Sequence, residues 1–439
     1  ARRGAGLSSP PTMAESTPRQ VLLQRLSLVG GTGGGALLTM IWMAWAGRQL
    51  GPAASSDFYA AVFLVFAIYM LGHPINGLAA RFGALWRAQG AQHQIWPLYT
   101  QLMRVLRWIA APCVLIGLPT LAWQADLLHF QEPWALTLGL VAGWLAVAAS
   151  AGRGVLRGVG RLTAFAGSVL TEAVIRLGLG VALLAIWPSA TAAMVAYVVA
   201  GLATVGLGEV LVRRALPERA AALPPRASAS DATGHRRALL AFAAPMLLMA
   251  LCDAAYQNLD VLVAKRGMSL DLAGQYGAIA TLTRALGVLV QPFALLVIPL
   301  LTTSHARGER VGRQLAGLTA AFLGLAALPM AVFLFWPREL VVLIYGEPFA
   351  PAAPWLAGHA LASLAMFVSL MLAQAFAAVA RFAFLWIYLA GVVALGVGLA
   401  LWHATPAEMI RVMVVVKSSV LLLIAVWWGV SMRLAARSA

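Results

Sequence analysis

Six charged side chains lie inside long apolar runs of the 439-residue chain: Glu172, Arg176, Asp253, Asp260, Arg284 and Lys417. A charge in the middle of a hydrocarbon layer costs about 2.5 kcal/mol or more, so each marks a pathway, a ligand or a partner. Asp253 and Asp260 are seven residues apart, two helical turns, and share one helix face. Arg284 falls about ten residues into its own apolar run, roughly 15 Å deep, a depth similar to that of Asp253 on the preceding run. A guanidinium holds phosphate oxygens in pairs, which makes Arg284 a candidate ligand for an anionic headgroup, with Asp253 or Asp260 as the group whose change of protonation releases it. The competing reading is a static buried ion pair that fixes helix packing. Glu172 and Arg176 are four apart, the spacing of an intrahelical pair, and read as structural. Lys417 has no partner in its own run and either meets an acid across the bundle or lines a polar cavity. Arg48 and Lys265, at the ends of two apolar runs, complete the candidate substrate-binding set.

These residues need a scaffold that keeps charge in lipid, and the composition supplies one. The chain is 62% hydrophobic and 10% charged, with mean hydropathy +0.85, whereas a soluble domain carries about a quarter charged residues. A soluble globular fold is excluded. Runs of about 20 apolar residues cross a bilayer, and twelve such spans are predicted near 26–46, 58–80, 105–123, 134–152, 163–187, 190–212, 238–264, 274–301, 315–336, 352–379, 382–402 and 409–430. The expected fold is all-α, a polytopic membrane protein of two six-helix lobes. Its parts are an N-terminal segment 1–25, an N-lobe 26–212, an Arg- and Pro-rich linker 213–237, a C-lobe 238–430 and a tail 431–439.

The net charge of +16 reports orientation. With the N-terminus inside, 23 of the 31 Lys and Arg residues fall on that same side, so both termini are expected in the cytoplasm of a bacterial inner membrane. Trp123, Trp134, Trp187, Trp336, Trp355 and Trp402 fall at the outer ends, where an interfacial aromatic belt belongs. Arg153, Arg157 and Arg161, spaced by four, read as cytoplasmic anchors. Anionic phospholipids account for the basic excess without nucleic acid. Cys113 and Cys252 sit in apolar runs and form no metal-ligand spacing. The glycines around Arg153 and Arg157 lack the lysine and strand context of a nucleotide loop, and no nucleophile, base or acidic cluster points to an enzyme. No cofactor and no metal is expected.

An internal repeat underlies the two lobes. Arg48, Tyr59 and Pro74 recur as Lys265, Tyr276 and Pro292, with the same basic-to-Tyr spacing of 11. An even number of spans per half keeps both copies in one orientation and places a site between them, as in transporters built from parallel repeats. Pro74, beside His73, and Pro292 predict kinks in the second span of each half. Gly30, Gly31, Gly33, Gly34 and Gly35 crowd span 1, where Gly33 is a candidate bending point and close packing is the simpler reading.

The stretch Pro245 to Arg307 contains APMLL, NLDVLVAKR, AGQYGAIATL and IPLLT. Through Pro245, Asp260, Gly274, Tyr276 and Pro299 it resembles bacterial polysaccharide transporters of the multidrug/oligosaccharidyl-lipid/polysaccharide flippase superfamily. Gly51, Pro52 and Tyr59, the RGVLRGVGR run, and IYGEPFAPAAP from Ile344 to Pro354 extend the likeness over most of the chain. The resemblance implies a central cavity lined by spans 1, 2, 7 and 8 and alternating access. The cargo it implies is an undecaprenyl-diphosphate-linked oligosaccharide, with a glycan polymerase and glycosyltransferases as pathway partners. A cation-coupled multidrug antiporter of the same superfamily is the alternative, which Asp253 and Asp260 keep open and Arg284 and Lys417 disfavour.

Overall fold

Peptide groups inside a bilayer have no water to bond, so segments this apolar close their hydrogen bonds within helices. The computed structural model describes residues 18–117, 121–216, 229–289, 297, 300–301, 304, 311–379 and 381–438. Every element among these residues is helical. The first half contains α1 (Pro18–Met70), α2 (Gly72–Ala88), α3 (Ile95–Gly117), α4 (Leu121–Leu127), α5 (Pro133–Gly158), α6 (Leu162–Ile186) and α7 (Ala190–Ala215). The second contains α8 (Ala229–Gly267), α9 (Leu270–Thr283), α10 (Val311–Phe335), α11 (Pro337–Tyr345), α12 (Ala353–Ala378), α13 (Leu385–Leu401) and α14 (Pro406–Ser438).

Helix α1 is two passes joined at a corner. Gly51 has φ 71° and ψ 172°, left-handed backbone open to glycine, and Pro52 follows it. The Tyr59 hydroxyl reaches the Met43 carbonyl at 3.4 Å, and Trp42 meets Phe58 edge-on at 6.0 Å. Sixteen residues of straight helix would separate Tyr59 from Met43 by about 24 Å, so the chain folds back on itself at Gly51.

Among the described residues eight helices are long and apolar enough to cross a membrane. The first of these, 30–87, contains both passes of the hairpin, and Leu385–Leu401 is a shorter apolar helix. The remaining predicted spans fall on α3 and on α9, whose helical path resumes over 285–289. The fold is that of a polytopic helical membrane protein. Helix α3 starts ten residues before its predicted span because exposed Arg104 and Arg107 interrupt the apolar pattern without breaking a helix. For the same reason α8 starts inside the predicted linker and α14 runs into the predicted tail, since polar residues do not end helices. Residues 217–228, with Pro224 and Pro225, lie outside the described residues.

In the N-terminal half α1 packs on α5, α6 and α7, and α2 on α5. In the C-terminal half α14 packs on α12 and α13, and α8 on α9 and α13. The halves meet where α1 lies against α8, α9 and α11, and α2 against α8. Gly31 and Gly35 let α1 close on α6, since a Cβ there would lie 2.7 Å from Ala166 and 2.9 Å from Val169, respectively. A Cβ on Gly33 would meet nothing within 4 Å. Trp123, Trp134, Trp187, Trp336 and Trp402 are exposed at the loop ends of their helices, as an interfacial belt requires, whereas Trp355 packs half-buried against the core.

Candidate functional site

Asp260, Arg284, His359 and Lys417 gather where α8, α9, α12 and α14 converge. Asp260 on α8 is 3% exposed, and its Oδ2 accepts from the Tyr276 hydroxyl on α9 at 3.0 Å and from His359 Nε2 on α12 at 3.1 Å. Nε2 must carry hydrogen to serve a carboxylate, and Nδ1 lies 2.8 Å from the Thr283 hydroxyl. The Tyr276 ring stands edge-on to the imidazole at 5.4 Å. The second carboxylate oxygen, Oδ1, makes no hydrogen bond.

Arg284 follows the last residue of α9, at the turn from which the helical path continues over 285–289. Its Nη2 donates to Asn258 Oδ1 at 2.9 Å and to the Gln257 carbonyl, both on α8. The guanidinium Cζ lies 3.5 Å from the centroid of the Phe63 ring and 5.3 Å from that of Phe66, two residues of the N-terminal half. Such stacking favours arginine, whose flat, weakly hydrated cation sits on an aromatic face. A cavity of about 20 Å³ opens between Asp260, Arg284, His359, Ser363 and Lys417, room for about one water. Lys417 on α14 is 4% exposed and takes the cavity-lining place that its lack of an intrahelical partner allowed. Two cations, Arg284 and Lys417, face one carboxylate across this space, and the site has a positive excess.

The structure separates two residues the sequence placed together. Arg284 meets the surroundings of Asp260, whereas Asp253 accepts from the Tyr388 hydroxyl on α13 at 3.0 Å. Two turns displace the acids by about 10 Å along the axis, enough to give them different neighbours. His359 was missed because its link to Asp260 spans 99 residues and depends on how α12 crosses α8. Glu172 pairs with Arg176 at 3.1 Å as its spacing predicts. It also pairs with Arg153 of α5 at 2.6 Å, so Arg153 is a buried ion-pair partner rather than a surface anchor. Arg176 in turn lies over the Tyr197 ring at 4.6 Å.

Arg48 and Lys265 lie away from this cluster, at the end of the bundle that carries Gly51. Arg48 Nη1 donates to the Leu343 carbonyl of the other half at 3.1 Å. Lys265 is 1% exposed and pairs with Asp57 of the other half at 2.5 Å. Helix α1 ends at Met70 and α2 begins at Gly72, a break where Pro74 lacks the N–H that would bond the Met70 carbonyl. His73 stands edge-on to Tyr69 at 5.1 Å. Pro292 and Pro299 lie outside the described residues.

The repeat is geometric as well as sequential. Tyr59 to Met43 and Tyr276 to Asp260 are the same bond, each spanning 16 residues, in two hairpins 217 residues apart. The first ends on a backbone carbonyl and the second on a carboxylate.

Among the described residues no group of three His, Cys, Asp or Glu side chains is placed to hold a metal. A family model described as polysaccharide biosynthesis protein matches residues 24–305. No curated protein matches the chain by sequence. Among solved structures the chain is similar to the inward-facing conformation of a multidrug resistance MATE family transporter of the MOP superfamily, with TM-score 0.71, 12% identity, and coverage of 92% of this chain and 95% of that one. An outward-facing conformation of such a transporter gives TM-score 0.60 at 14% identity, with 96% and 99% covered. A MOP superfamily transporter from Pyrococcus furiosus, described as having a binding pocket of reverse polarity, gives 0.58 at 14% identity, with 97% and 100% covered.

Proposed function

We propose, for a chain that belongs to the polysaccharide biosynthesis protein family within the MOP superfamily of transporters, that it flips undecaprenyl-diphosphate-linked oligosaccharide from the inner to the outer leaflet of a bacterial inner membrane. The observation that carries this reading is Arg284, a buried guanidinium stacked on Phe63 of the opposite half and lining one cavity with Lys417. A cation that touches both halves senses their separation, and a diphosphate offers it stronger acceptors than the carbonyl and amide it now holds. The lipid tail stays in the bilayer while rocking of the halves exposes the headgroup to each side in turn. Asp260 supplies the coupling group, since protonating it removes the one negative charge facing Arg284 and Lys417 and tightens their hold on an anion. Asp253, bonded to Tyr388, is the second coupling candidate. Both termini and the 213–237 linker lie in the cytoplasm, and the break at Pro74 allows the second span of the N-terminal half to bend. The positive excess of the site disfavours the alternative, a cation-coupled antiporter of cationic drugs, which needs an acid free to meet its cargo.

The test is mass spectrometry of lipid-linked saccharides in a deletion strain complemented with wild type or Arg284→Ala. Complete lipid-linked repeat units accumulate in the deletion, wild type clears them, and a well-expressed Arg284→Ala leaves them in place. Unchanged lipid-linked intermediates in the deletion overturn the flippase reading in favour of drug efflux.

A further inference from the structure

At the Gly51 end the two halves are pressed together by contacts with no slack. The Pro52 carbonyl lies so close to Gly274 that any Cβ there would collide with it, and a Cβ on Gly277 would lie 2.6 Å from the Tyr59 ring. Tyr345 donates to the Ala278 carbonyl at 3.1 Å behind this seam. Into it run Asp57 from the N-terminal half and Lys265 from the C-terminal half, 2% and 1% exposed. The ammonium bonds Asp57 at 2.5 Å and the Ser56 hydroxyl at 2.9 Å, and lies 5.5 Å from the centroid of the Phe130 ring.

Asp57 also reaches deeper into its own half. Its Oδ2 accepts from the backbone N–H of Gln131 at 2.9 Å and of Glu132 at 2.7 Å. The Glu132 carboxylate then accepts from Ala190 and Thr191 at 3.0 and 2.7 Å, the first N–H groups of α7, where a negative charge complements the helix dipole. One unbroken chain of polar bonds thus runs from α8 of one half, through Asp57 and Glu132, to the start of α7 in the other.

We propose that Asp57 and Lys265 form an interlobe latch that holds this end of the bundle shut, and that the Asp57–Glu132 relay ties the latch to the position of α7. The proposal rests on the alternating-access part of the function above but not on the identity of the cargo. A carboxylate held by two backbone N–H groups keeps partners when the lysine leaves, so the latch opens without stranding Asp57. Lysine, a compact point charge on a flexible stem, suits a bond that must be broken and remade. Arg48, the repeat counterpart of Lys265, reaches across the same seam to the Leu343 carbonyl, so each half contributes one cation to the other.

Amide hydrogen exchange on the full-length protein in lipid nanodiscs, with no cargo present, tests the latch. In Lys265→Met, exchange over 52–60 and 273–278 is expected to accelerate about tenfold or more, with 131–132 and 190–191 unchanged. In Asp57→Leu, which leaves no acceptor for the Gln131 and Glu132 N–H groups, both the seam and the 131–132 and 190–191 amides are expected to lose protection. The double charge reversal Asp57→Lys with Lys265→Asp restores the seam but not 131–132, because an ammonium cannot accept from an N–H. A seam as protected in Lys265→Met as in wild type overturns the latch, and unchanged 190–191 exchange in Asp57→Leu overturns the relay. Either result leaves the saccharide assay free to succeed, and failure of that assay leaves the exchange readout intact.

Discussion

The two hairpins are built alike and charged differently. In both, a tyrosine on the second leg reaches back 16 residues to the first, and a basic residue 11 positions before the tyrosine crosses to the opposite half. In the first hairpin the tyrosine finds the backbone of Met43 amid Trp42 and Phe58. In the second it finds Asp260, and around that acid the fold has assembled His359, Arg284 and Lys417. The shared part of the pattern serves the scaffold, and the residue that differs marks the place where the C-terminal half has gathered buried charge. The N-terminal half holds its own buried charge elsewhere, with Glu172 between Arg153 and Arg176.

Erasing the difference is the most severe test. Asp260→Met makes the second hairpin like the first and leaves Arg284 and Lys417 facing each other without their carboxylate. Removing one partner of a buried ionic cluster costs about 3–5 kcal/mol, so thermal unfolding in detergent is expected to drop markedly and lipid-linked saccharide to accumulate. A variant as stable and active as wild type would show that the acid contributes nothing beyond what Met43 does.

Removing one hydroxyl from each hairpin is a milder comparison. Tyr276→Phe deprives a buried carboxylate of a donor and is expected to cost about 2 kcal/mol, in the range for hydrogen bonds to charged groups. Tyr59→Phe loses a long bond to a neutral carbonyl and is expected to cost about 0.5 kcal/mol, at the low end for neutral pairs. Equal losses in unfolding temperature would mean that the two tyrosines do the same work.

The smallest effect separates the crossing cations. Arg48 is exposed and holds one carbonyl, so Arg48→Met is expected to shift the unfolding temperature by no more than about 0.5 kcal/mol allows. Lys265→Met, which removes a buried pair, is expected to shift it several times further. A reversed order would make Arg48 the principal tie across the seam.

Much of this was legible in the chain. The apolar runs, the loops between them and the repeat follow from composition and spacing, because the bilayer forces each long apolar run into a helix whatever its neighbours. The Glu172–Arg176 pair was legible for the same local reason, since one helix carries both ends. Gly51 and Pro52 stand out in the sequence, but the left-handed backbone of Gly51 and the return of the chain onto Met43 are not readable from them. Charge within a span identified Asp260, Arg284 and Lys417 as worth watching, yet could not say which acid faced which base, and it paired Arg284 with Asp253.

The sequence by itself therefore determined the class of fold, the two-part repeat and the short set of charges that lipid makes expensive, all of which depend on residue type and local period. The tertiary structure alone decided the pairings: His359 on Asp260, Phe63 under Arg284, Asp57 against Lys265, Arg153 on Glu172. Each joins residues on different helices, from 19 to more than 200 positions apart. Which side chains meet across helices depends on crossing angle and axial offset, and a shift of one turn, about 5.4 Å, exchanges every partner.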